Sequence, residues 1–138
     1  LGCYITDEWV TAVADGLIVR SSSGAVVLDL DGDGLEQTGW TILYMHIETR
    51  DRVAAGARVK TGDRIGHPSC EGGFSNGAHV HIARRYNGEW ISADREIPFN
   101  MSGWVSSGDG SEYSGTLTKN GKVVYSWNGR VDANQIGY

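Results

Sequence analysis

Twenty glycines divide the 138-residue chain into short runs of Val, Ile, Leu, Tyr and Trp, and only two prolines accompany them. Glycine at this density marks tight turns between short strands. Nowhere do apolar residues recur at the 3.6-residue period of a helix. A chain punctuated in this way has one economical solution: an all-β fold of short antiparallel strands joined by hairpins. The length suits about one domain, enough to bury a core.

Charge narrows the function classes. The net charge is −5 and the isoelectric point about 5.2. No basic stripe argues for nucleic acid, and Arg84-Arg85 alone is too little. No apolar run approaches the roughly 20 residues that span a bilayer. The chain begins Leu-Gly-Cys without Met, which reads as a trimmed, mature or partial chain. Cys3 and Cys70 are too few for a disulfide scaffold. One bridge in an oxidising compartment is open to them, as are two separate thiols.

Strands are expected over 8–14, 17–21, 25–30 and 40–47. The segment 53–66 reads as very short strands between Gly turns. That pattern also occurs in lipoyl and biotinyl carriers, but no lysine sits at a hairpin tip beside Met, so the carrier reading is set aside. Residues 66–77 form a Gly-rich loop that holds His67 and Cys70, with His67 expected as an exposed loop residue. Asn87-Gly88 and Asn120-Gly121 are strong two-residue hairpin signals. Domain 1–94 carries all the histidines. Residues 95–138 are expected to form a β appendage packed on it, in which Trp104, Tyr113 and Trp127 pack or touch substrate.

The chemistry-bearing run is Ala78-His79-Val80-His81-Ile82. On a strand, residues two apart share a face, so both imidazoles project the same way, roughly 6–7 Å apart. Zinc takes imidazole nitrogen, and a hydrolytic zinc site keeps one position open. Alone, His-x-His is a common surface pattern. His46, on the clearest strand, can pair beside this run, with Tyr44 on its own face.

A second candidate is Asp29-Leu30-Asp31-Gly32-Asp33-Gly34. Alternating carboxylates followed by Gly match the first half of an EF-hand calcium loop. The match then fails: position twelve is Trp40 rather than Glu, and Glu36 substitutes only in a different geometry. The preferred reading is an acidic solvated turn, with calcium at Asp29, Asp31 and Asp33 as the alternative.

Taken together, Tyr44-Met45-His46-Ile47, then Gly56-x-x-Val59-x-x-Gly62-Asp63-x-Ile65-Gly66, then Gly77-Ala78-His79-Val80-His81-Ile82 resemble the lysostaphin-type zinc metallopeptidases. These endopeptidases cut peptidoglycan peptides. The segment 14–19 is similar to the family's stretch before its first hairpin. The resemblance implies an antiparallel β-sheet groove, zinc as cofactor, a peptidoglycan peptide as partner, and an extracellular or cell-envelope location. It implies that His81 ligates zinc, and that His79 and His46 act as base or oxyanion donor. Tyr44 and Asn76 are the candidate substrate contacts. The family's other two ligands come from an upstream His-x-x-x-Asp, which this chain lacks. A partial chain, a non-catalytic wall-binding or activating module, and a site rebuilt with a Cys3 or Cys70 thiolate all remain open.

Overall fold

The computed structural model describes residues 3–75, 77–93, 97–108, 110–111 and 114–126. It contains twelve short strands and no helix among these residues. Every pairing is antiparallel. The chain divides into two units, Leu1–Ile91 and Ser92–Tyr138.

The first unit holds the strands β1 (Val10–Thr11), β2 (Gly16–Ser22), β3 (Ala25–Asp29), β4 (Trp40–Met45), β5 (Arg58–Val59), β6 (Arg64–Gly66), β7 (His81–Tyr86) and β8 (Glu89–Trp90). Six of them form one sheet in the order β5-β2-β3-β4-β7-β8, and β1 pairs with β6 separately. The order follows from hairpins. Ser23-Gly24 turns β2 into β3 and Asn87-Gly88 turns β7 into β8, all four residues at positive φ. Asn and Gly tolerate that backbone at least cost.

Strand β3 is buried at every position, which matches its unbroken apolar run from Ala25 to Leu28. Strand β4 pairs with β7 so that Tyr44 stands opposite Ile82 and Met45 opposite His81. Ile18, Val26, Leu28, Tyr44, Ile47 and Ile65 are fully buried and make the core. The segment expected as a strand over 8–14 forms only the two-residue β1, whereas 53–66 forms the very short β5 and β6 expected of it. Between these, turn hydrogen bonds take over, such as Gly62 N to Ala12 O and Gly56 N to Ile18 O.

Tyr44 is a correction to the sequence expectation. It has no exposed surface, and its hydroxyl accepts a hydrogen bond from Val13 N at 2.9 Å. It therefore pins the N-terminal strap to the core and faces no substrate. Tyr44→Phe leaves the Val13 N–H without this partner and should cost about 1–3 kcal/mol, read as a lower midpoint in urea denaturation at unchanged slope.

The second unit carries a four-stranded sheet ordered β12-β11-β10-β9. Its strands are β9 (Asn100–Met101), β10 (Trp104–Ser107), β11 (Thr116–Lys119) and β12 (Lys122–Tyr125). The hairpin at Asn120-Gly121 is as expected, and β9 and β10 precede it in a polar, Gly/Ser-rich stretch. Trp104 is buried and packs rather than facing outward. Tyr113 and Trp127 lie outside the described residues.

Candidate active site

Three imidazoles meet where β4 ends beside the start of β7. The His46 ring lies 4.4 Å from that of His79 and 6.5 Å from that of His81, centroid to centroid. His79 and His81 share a face because they are two apart on an extended segment. His46 arrives differently. Strict alternation would put it with Tyr44 on the core face, but its φ is +68°. This left-handed step turns the chain out of β4, and the ring comes to rest against His79. A non-glycine residue at such a φ is uncommon, and strain of this kind gathers at functional sites.

The backbone around His46 is held from several sides. Its carbonyl accepts from Ser69 N at 2.7 Å and from Ser69 Oγ at 3.0 Å. Ile47 N donates to Gly24 O. The 66–77 loop closes over the β2–β3 turn so tightly that glycine is required on both sides. A Cβ on Gly24 would stand 2.7 Å from the Glu71–Gly72 backbone, and one on Gly72 would stand 2.8 Å from Ser23 O. Both have φ near +80°. The Cys3–Cys70 disulfide ties the same loop to the chain's start.

Hydrogen bonds assign the ring tautomers. His46 Nδ1 lies 2.9 Å from the Glu71 carbonyl, and His79 Nδ1 lies 2.7 Å from the Gly77 carbonyl. A carbonyl only accepts, so each Nδ1 carries the proton and each Nε2 keeps its lone pair. Burial, and then the neighbouring His79 and His81, hold His46 below the usual imidazole range, against the opposing pull of the Glu71 carbonyl. Desolvation, and then His79, lower His81 as well, although much of that residue remains exposed. Both shifts favour neutral rings near neutral pH, ready to take a proton or ligate a metal.

Sequence reasoning missed the supporting groups. The Glu71 and Gly77 carbonyls orient two of the rings. Ser75 Oγ reaches His79 Nδ1 at 3.2 Å and the Gly77 carbonyl at 2.7 Å. Thr49 N and Oγ1 donate to the Glu71 carboxylate, which with Arg52 nearby lowers that acid. No sequence signal marks a carbonyl as a ring anchor. Asn76 lies outside the described residues.

His67 is another correction, because it is buried rather than exposed. Its Nδ1 meets the Glu8 carbonyl at 2.7 Å, its Nε2 meets Asp51 at 3.0 Å, and its ring lies 4.1 Å from that of Trp9. It fastens the N-terminal segment and stands apart from the histidine cluster.

A sheet that brings a paired His-x-His beside a third histidine is the geometry expected of the lysostaphin type, and the profile of peptidase family M23 matches residues 4–93. The chain belongs to peptidase family M23. The M23 domain is also similar to a solved structure described as a novel M23 metalloprotease, pseudoalterin, from the deep sea. The TM-score is 0.67 and the identity 24%, over 92% of this chain and 75% of that one. That likeness carries the fold alone. No curated protein matches the chain.

The M23 family implies a zinc ion, and the described residues fit it only in part. Among them, one group of three ligating side chains comes close enough to share a cation, and it is Asp29, Asp31 and Asp33. The three imidazoles form no such group. Cys3 and Cys70 are joined to each other, so the thiolate-ligand alternative falls. Residues 1–45 contain no histidine, so they hold no His-x-x-x-Asp. The complete ligand set that the resemblance implies is not among these residues.

Proposed function

We propose that the M23 domain provides the proton-transfer half of a peptidoglycan-directed endopeptidase site, with His81 as one zinc ligand and His46 and His79 working on substrate. The observation that carries this reading is the convergence of the three rings, two of them with Nδ1 anchored on carbonyls. Anchored in that way, each Nε2 is an acceptor of fixed direction. One ring takes a proton from the attacking water, and as imidazolium it returns that proton to the departing amine. The second ring, when protonated, donates a hydrogen bond to the oxyanion of the tetrahedral intermediate. Zinc, when bound, supplies Lewis acidity toward the peptide carbonyl. An extracellular or envelope location is supported by the Cys3–Cys70 bridge, since disulfides persist in oxidising compartments.

The incomplete ligand set favours a second reading: a domain that binds wall peptides, or activates another wall enzyme, without cutting. Metal analysis and muropeptide digestion separate the two. The endopeptidase reading expects about one zinc per chain, in keeping with a single hydrolytic site. It also expects soluble peptide release, with both lost in His81→Ala. The binding reading expects no zinc and no release, with co-sedimentation on purified peptidoglycan retained in His81→Ala. A chain that neither hydrolyses nor sediments refutes both.

A further inference from the structure

Six residues at the end of β3 carry a charge problem that the peptidase reading leaves untouched. Asp29, Asp31 and Asp33 each offer a carboxylate oxygen, and these oxygens lie within 4.8 Å of one another. Asp29 has no exposed surface, and its Oδ1 is buried without a hydrogen-bond partner. Burial, and then the facing Asp31 carboxyl, raise Asp29 to about 6, the mark of a costly buried carboxylate, and such groups are paired or coordinate metals. Among the described residues, no ion pair reaches any of these three side chains. Glu36, the acid considered as a substitute ligand, is committed elsewhere, held in a two-pronged pair by Arg20 at 3.0 Å. Arg58 comes near the loop at Gly32 without pairing with it.

From these observations we infer that Asp29, Asp31 and Asp33 form a calcium site, one that stabilises the β3–β4 connection and takes no part in catalysis. Oxygen ligands about 2.3–2.6 Å from a common ion lie at most about 5 Å apart, which the cluster satisfies. An all-oxygen, carboxylate-rich donor set selects a hard cation over zinc. Calcium is preferred to magnesium because it accepts irregular, high-coordination carboxylate shells, whereas magnesium demands near-ideal octahedra and keeps its waters.

The remaining hydrogen bonds hold the loop in shape. Gly34 N donates to Asp29 Oδ2 at 2.9 Å, and Leu35 N to Asp33 Oδ1 at 2.8 Å. Asp33 N reaches Asp31 Oδ1 at 3.3 Å, and Thr38 Oγ1 donates to Asp33 Oδ2. Gly32 and Gly34 both take positive φ, which lets the chain curl so that alternate carboxylates face inward. The site departs from a full EF-hand at its far end, where Trp40 replaces the bidentate acid. Affinity in the weak, extracellular-module range, about 10⁻⁴–10⁻³ M, is therefore expected.

The test is thermal melting and titration calorimetry of the full chain, stripped with chelator and then given calcium chloride or magnesium chloride. Calcium should raise the melting temperature and give a one-site isotherm. Magnesium at the same concentration should do markedly less. Asp31→Asn and Asp33→Asn, both exposed and so expected to fold, should each weaken calcium binding by about tenfold or more. Asp29→Asn should abolish the calcium shift, and the two exposed variants decide the matter should that protein fail to fold. No calcium shift in the wild type overturns the inference. So does an equal shift with magnesium, or one that survives in Asp31→Asn and Asp33→Asn.

Discussion

Replacing both Cys3 and Cys70 with serine should lower the unfolding free energy by about 4 kcal/mol. The bridge closes a loop across a sequence separation of 67 residues. By the chain-entropy estimate, a loop of that size restricts the unfolded chain by a little over 4 kcal/mol. For a single small domain that is a large share of total stability. The loss should appear in urea denaturation as a lower midpoint, and the wild type should reproduce it in reductant. Function should suffer beyond the global loss. Cys70 adjoins Glu71, whose carbonyl anchors His46 Nδ1, and the loop they share packs against Gly24. Cutting the bridge removes the covalent hold on that loop, so on the endopeptidase reading turnover should fall even at temperatures where the variant remains folded. A stability change under about 1 kcal/mol would show that the unfolded chain is little restricted by the bridge.

On the endopeptidase reading, His46→Ala and His79→Ala should each reduce peptide release by about 10²–10⁴-fold, the usual contribution of a positioned acid or base. Zinc content should stay near that of the wild type, in contrast with His81→Ala. The two rings lie 4.4 Å apart, and on the endopeptidase reading both serve the same tetrahedral step. The double variant should therefore lose little more than the worse single variant, as residues working as a unit do. Independent effects that multiply would assign the rings to separate steps. Turnover within about threefold of wild type in His79→Ala would remove it from the chemistry.

Several elements were legible in the chain itself. Val26 to Leu28 and Trp40 to Met45 are apolar or alternating runs, and β3 and β4 occupy them. Asn87-Gly88 and Asn120-Gly121 are hairpins because few other pairs accept two successive positive φ angles. The partnership of His79 and His81 follows from strand alternation alone. In each case the determinant is local, carried by one to six neighbouring residues.

The misplaced residues are those whose surroundings come from far along the chain. Tyr44 looks like a site residue from its neighbours, yet a strap 31 residues earlier covers it and uses its hydroxyl. His67 looks like loop surface until Glu8, 59 residues away, closes on its ring. His46 reaches the cluster only because its backbone takes a left-handed step, fixed by Ser69 and the Glu71 carbonyl of the 66–77 loop. The amino-acid order alone thus determined the all-β class, the hairpins and which imidazoles could meet. Tertiary structure decided which polar groups are buried, which ring nitrogens carry protons and where the disulfide lies. Burial and hydrogen-bond partners belong to pairs of segments distant in sequence, and no local pattern of residue types encodes a distance between them.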